Sequence, residues 1–282
     1  MLKGCQLLDN IEDIIAKYSP YIYFCKNEQC FPIDINKYLN ACDVRSRSND
    51  KIINNPTCDM LYQFYQNKTN DLYLEFKDKN WKEDLKGDYA NAKCYVRVIA
   101  NRYGFALVYF YLFSHTEAYR AFNCCCKLNK YSHKADLKFI VVFIKYNRPF
   151  KSYNISKVYY GAHGTHAGVW KKIGKIQLDK THPIAYSCCG DHSFYPYSGI
   201  YPRIFFAVYD KCKRGFLCKP EVVRICDDKD DEFKTDTMGW VYFPGEMSED
   251  GISSPSNQWF WNAELPIKSN NWFKRLFCSM YF

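Results

Sequence analysis

Nine short runs of aromatic and β-branched residues, separated by polar or turn-forming residues, set the strongest limit on what this chain can fold into. They are Tyr21 to Phe24, Leu72 to Phe76, Cys94 to Ala100, Phe105 to Phe113, Phe139 to Tyr146, Val158 to Tyr160, Ile184 to Cys188, Ile204 to Tyr209 and Val222 to Cys226. Runs this short and numerous predict a mainly β fold, a β-sandwich-like single domain. The 25 Tyr and 21 Phe suit pleated sheets, and on a surface they would serve assembly. Helical spacing shows near the start, where Leu7, Leu8, Ile11, Ile14 and Ile15 oppose Asp9, Glu12 and Asp13. An amphipathic helix is expected over 6 to 17, ended by Ser19-Pro20.

No linker rich in Pro, Ser or Gly divides the chain. The expected organisation is a helix over 1–17, one β domain over 18–265 and an apolar docking tail over 266–282. Residues 42–70 and 227–258 are polar and read as loops. The acidic run Asp227 to Glu232 lacks the glycine-centred pattern of a calcium loop and is expected to be solvated. The tail carries Trp272, Phe273, Leu276, Phe277, Tyr281 and Phe282, whereas chain ends are normally polar. It would pack on its own domain, insert into a neighbouring molecule, or lie in a membrane interface with Lys274-Arg275 near headgroups.

The formal net charge of +9 is dispersed in short clusters such as Lys171-Lys172 and Lys274-Arg275, so no nucleic-acid specificity is expected. The first ten residues lack the apolar core of a secretory signal, and no stretch is long and apolar enough to span a bilayer. Synthesis in the cytoplasm or nucleus is expected, with release inside particles as a later stage. Fifteen cysteines are many for such a compartment, and paired Cys-x-x-Cys knuckles are absent. Most are expected as small buried apolar residues. The odd count leaves Cys124, Cys125, Cys126 and Cys278 as candidates for bonds between molecules.

One pair of segments carries most of the polar chemistry. The first is Tyr159-Tyr160-Gly161-Ala162-His163-Gly164-Thr165-His166, and the second runs from His182-Pro183 through Gly190-Asp191-His192 to Tyr195-Pro196. They resemble the vacuolar protein sorting-associated protein 62 family, with its Tyr-Ser-x-His-Gly segment and its His-Pro-x-x-Tyr-x-Ala-x-Gly-Ser-His-x-x-Tyr-Pro. Tyr18-Ser19-Pro20, Glu28 with Phe31-Pro32, the aromatic run Phe105 to Phe113, and His133-Lys134-Ala135-Asp136 fall in the same order as their family counterparts. The likeness spans about residues 18 to 200. Three departures stand out: Leu137-Lys138 replaces Trp-Glu, Asp191 replaces Ser, and Gly161 replaces Ser beside His163.

The positions matching the polar motifs are His133, Asp136, His163 and His192. Imidazole nitrogens and a carboxylate from separate strands can ligate a divalent metal, or form a buried network in which Asp136 fixes a histidine tautomer. With Lys138 where the family has an acid, the network is the expected form and no cofactor is expected, a divalent metal at the His cluster being the competing reading. No Gly-x-Ser-x-Gly elbow or Cys-His signature points to catalysis. The leading expectation is a non-enzymatic structural protein that self-assembles into a dense particle such as a viral occlusion body, with itself as partner. The alternatives are a protein- or membrane-binding module of vacuolar trafficking, with peripheral membrane contact, and a metal-dependent hydrolase or toxin-like protein.

Overall fold

The computed structural model describes residues 11–48, 53–101, 104–117, 119–120, 127–128, 132–147, 149–163, 168–203, 208–258 and 260–261. Its first strands are β1 (Tyr21–Phe24), β2 (Cys42–Ser46), β3 (Ile53–Asn54), β4 (Leu72–Phe76), β5 (Lys93–Asn101) and β6 (Gly104–His115). Then follow β7 (Tyr119–Arg120), β8 (Lys127–Leu128), β9 (Lys134–Asn147), β10 (Ser152–Tyr160), β11 (Val169–Lys172) and β12 (Leu178–Asp179). The last are β13 (His182–Ser187), β14 (Phe194–Tyr195), β15 (Gly199–Arg203), β16 (Val208–Cys212), β17 (Phe216–Cys218) and β18 (Glu221–Ile225). Among the described residues, five short helices accompany them: α1 (Ile11–Tyr18), α2 (Ile35–Asn40), α3 (Cys58–Gln66), α4 (Trp81–Asp84) and α5 (Thr235–Met238). The chain is therefore mainly β, as its run pattern predicts.

A six-stranded sheet in the order β11-β10-β9-β6-β5-β18 organises the rest. Its long strands are antiparallel, with Phe113 opposite Asp136 and Phe105 opposite Ile144 across β6 and β9, while β18 runs parallel to β5. Side chains alternate along β6. Phe105, Leu107, Tyr109, Tyr111 and Phe113 enter one core, and Ala106, Val108, Phe110 and Leu112 enter another. Burial on both faces explains why this run is continuously apolar rather than alternating with polar residues.

The first core is closed by β1 and β13, which pair in parallel, and by Ile11, Ile14 and Ile15 of α1. The second is closed by the β3-β2-β4 sheet, by α2 and α3, and by a tight turn over Gly239–Tyr242 that buries Trp240. Gly239 is needed there because a Cβ would lie 2.4 Å from the Cys58 carbonyl oxygen.

Two loop expectations are corrected. Residues 42–70 contain β2, β3 and α3, and Thr57 caps α3 by accepting from the Met60 N–H. Cys58, Leu61 and Tyr62 bury one face of that helix. Residues 227–258 contain α5 and the Gly239–Tyr242 turn, are largely loop elsewhere, and are not merely solvated, since Trp240, Val241, Phe243 and Met247 are fully buried. In the acidic run, Asp227 pairs with Arg97 at 2.7 Å and Glu232 with Arg224 at 2.9 Å. Of the expected strand over 204–209, residues 204–207 lie outside the described residues, and Val208 and Tyr209 open β16, which pairs antiparallel with β15.

Candidate functional site: two polar clusters on one loop

The segment between β13 and β14 feeds two polar clusters. A disulfide from Cys25, just after β1, to Cys189 anchors it, with Cα atoms 5.7 Å apart. The Gly190 N–H then donates to Glu28 Oε2 at 3.0 Å. His192 follows with φ +64, a left-handed conformation that costs a non-glycine residue about 1 kcal/mol and persists only where packing enforces it. Its ring lies flat on Phe113, with centroids 4.0 Å apart and planes within 2°.

In the first cluster His192 sits between Glu28 and Asp136, all three buried. Its Nε2 is 3.5 Å from Glu28 Oε1 and its Nδ1 is 3.6 Å from Asp136 Oδ2. These separations are long for hydrogen bonds, so the attraction is that of ion pairs. Lys138 Nζ approaches the same Asp136 oxygen at 3.1 Å. Asp136 and Lys138 share a face of β9 because strand side chains alternate. Burial opposes the charge on His192, but Asp136 and Glu28 outweigh it and raise its pKa to about 10. Burial likewise opposes ionisation of Glu28 and Asp136, yet His192 lowers the first, and Lys138 with His192 lowers the second. The cluster is two carboxylates balanced by two cations of the chain itself. Nearby His115 shows the opposite outcome: burial, His192 and Lys82 push it down to about 4, leaving it neutral at pH 7.

The second cluster forms around His163, just after β10. Its Nε2 is 2.7 Å from Asp210 Oδ2, 3.1 Å from Asp191 Oδ2 and 3.0 Å from Ser193 Oγ. Tyr195 donates its hydroxyl to Asp210 Oδ2 at 2.5 Å, and the Ser193 N–H donates to Asp191 Oδ2 at 3.2 Å. Asp191 and Asp210 are buried, while the His163 side chain keeps 11% of its exposure. Gly161 lets His163 reach this position, because a Cβ there would lie 2.5 Å from the Phe139 carbonyl oxygen and meet its ring. The departure from the family's Ser thus has a steric cause.

The four histidine and aspartate candidates separate accordingly. Asp136 and His192 meet, whereas His163 belongs to the other cluster. His133 places Nδ1 2.7 Å from the Ala135 carbonyl and is held at the mouth of β9. Glu28, Asp191 and Asp210 were not among the candidate site residues. Glu28 and Asp191 lie within the quoted motifs, but Asp210 lies outside them and carries no local signal. Trp272, Phe273, Leu276, Phe277, Tyr281, Phe282, Cys124, Cys125, Cys126, Cys278 and His166 lie outside the described residues. Among the described residues eight cysteines are free and buried, as small apolar residues would be, whereas the Cys25–Cys189 bond carries no signal in the sequence.

The sequence profile of the vacuolar protein sorting-associated protein 62 family matches residues 2–204, and the chain belongs to that family. No curated protein matches it. Among solved structures it is similar to the non-toxic HaNLP3 protein, at 9% identity and a TM-score of 0.42, over 86% of this chain and 87% of that one. It is also similar to Necrosis and Ethylene inducing Protein 2 from the causal agent of cocoa's Witches Broom disease, at 17% identity and a TM-score of 0.36, over 75% and 72%. NLPPya in complex with glucosamine gives 10% identity and 0.39, over 77% and 74%. Likenesses this distant do not carry an activity across.

Proposed function

We propose that this chain is a non-enzymatic binding module that docks peripherally on anionic membranes through the tip of the β9–β10 hairpin. The scaffold that carries this hairpin is taken as an elaborated β-sandwich. The observation that carries the reading is Phe150, 77% exposed at the hairpin tip. Lys145, Lys151, Lys172 and Lys175 are exposed on the same hairpin and on the neighbouring β11 segment, with Tyr146 and Ile173 among them. From Leu137 to Leu178 the sequence contains no Asp or Glu. An aromatic side chain that enters the headgroup region, with lysines on the same hairpin and the strand beside it drawn to acidic lipid, is a chemistry suited to such a surface. It also accords with a family named for vacuolar protein sorting.

The geometry at His163 favours binding over hydrolysis. Ser193 and Asp210 approach the same ring nitrogen, whereas a nucleophile relay needs the hydroxyl on one nitrogen and the carboxylate on the other. Sedimentation with vesicles tests the reading. Binding is expected to phosphatidylserine-containing vesicles and not to phosphatidylcholine alone, to weaken with salt, and to fall about tenfold or more in Phe150→Asp. Equal binding to neutral vesicles, or an unaffected Phe150→Asp, would reject it. Light scattering of the full chain should give a monomer without reductant; aggregates that dissolve on reduction would support the self-assembling alternative instead.

A further inference from the structure

His163 Nε2 is oversubscribed. A ring nitrogen carries either one hydrogen or one lone pair, yet this one faces two carboxylate oxygens and a hydroxyl within 3.1 Å. If it is protonated, its single N–H faces Asp191 and Asp210 together. If it is not, its lone pair points at two anions. One ligand atom from each of the three side chains lies within 4.8 Å of the other two.

We infer that His163, Asp191 and Asp210 bind a divalent transition-series cation. Nitrogen and oxygen ligands at about 2.0–2.2 Å in tetrahedral geometry stand about 3.4 Å apart, so the observed 2.7 and 3.1 Å need only a small opening. One imidazole and two carboxylates suit zinc or manganese, and would leave a position for water. Tyr195, through Asp210, and the Ser193 amide, through Asp191, hold the ligands in place.

Two departures from the family motif fit together under this assignment. Asp191 stands where the motif has Ser, and adds a carboxylate to this cluster. Lys138 stands where the motif has Glu, and removes one from the neighbouring cluster while placing an ammonium on Asp136. The chain has therefore gained a carboxylate beside His163, and at the other cluster it has an ammonium in place of one. This inference stands apart from membrane docking, since neither uses the other's residues.

The test is metal titration of the full-length, chelator-treated protein by calorimetry, together with the visible spectrum of the cobalt(II) form. A single equivalent of zinc should bind, with weak d–d cobalt bands and no thiolate-to-metal charge transfer. Asp191→Ser, which restores the family's residue, and His163→Gln should each weaken binding about tenfold or more. Binding unchanged in both variants, an intense thiolate charge-transfer band, or no binding by the wild-type protein at millimolar metal would overturn the assignment. Should one variant fail to fold, the wild-type cobalt spectrum alone still decides between nitrogen–oxygen ligands and the cysteines.

Discussion

The two clusters are built from adjacent residues of one loop and have opposite electrostatic designs. His192 turns into the first core and is enclosed by Glu28, Asp136 and Phe113, whose charges close on themselves with Lys138. Asp191, one residue earlier, turns the other way and shares with Asp210 a single ring nitrogen of His163. The first cluster has as many cationic as anionic groups, and its role is to tie β1, β9 and the β13–β14 loop together. In the second, two carboxylates converge on one ring nitrogen of a single imidazole. The difference teaches that a buried histidine's role depends less on its own burial than on how the carboxylates around it divide between its two ring nitrogens.

The largest expected effect comes from breaking the balanced cluster. His192→Ala should cost about 3–5 kcal/mol in denaturant unfolding, because it leaves two buried carboxylates without their shared cation. The wild-type pH profile should carry the same signature. His192 is raised from 6.5 to about 10, so its stabilisation is complete below about pH 6.5 and drains away as pH rises toward about 10. Glu28 and Asp136 are lowered from 4.5 and 3.8, so their share is complete above those values and is lost as pH falls through the folded-state values. Stability should peak near about pH 5–6, and His192→Ala should flatten the alkaline limb. An alkaline limb identical in both proteins would show that His192 is not the shared cation.

Next in size is the disulfide that holds both clusters' loop. Cys25 and Cys189 are 164 residues apart, and a closed loop of that length constrains the unfolded chain strongly. Cys189→Ser should lower stability by about 2–5 kcal/mol, measured by thermal unfolding under non-reducing conditions. Lys138→Met should follow at about 1–3 kcal/mol, since Asp136 loses its ammonium but keeps His192. A Lys138→Met effect exceeding that of His192→Ala would mean that the lysine, not the histidine, dominates the balance.

How much of this was readable from sequence depends on how local the cause is. β1 and β4 begin and end where their apolar runs do, and the apolar run in β6 announced a buried strand. Helix α3 was missed, although Cys58, Leu61, Tyr62 and Tyr65 follow helical spacing and Thr57 is a good cap. Its surrounding polarity masked the signal. His163, His192 and Asp136 could be named because motifs carry them, but nothing local says which pair. The pairing follows from β1, β9 and β16 meeting around one loop, and Asp210 and Cys25 become partners only through that topology. The Gly161 departure had no meaning until Phe139 was seen to occupy the space of a side chain.

The smallest expected effect on stability is at the second cluster, and it sharpens the comparison best. Asp191→Ser removes one of two carboxylates that compete for a single nitrogen, so the loss of one attraction is offset by relief of repulsion between like charges. Metal-free protein should change by less than about 1 kcal/mol, in contrast to His192→Ala one position away. The two proteins should then diverge when zinc is added: wild type gains thermal stability in proportion to occupancy, and Asp191→Ser gains little at the same concentration. A loss of several kcal/mol by the metal-free variant would show that Asp191 serves as a structural partner of His163, and that the two clusters share one design after all.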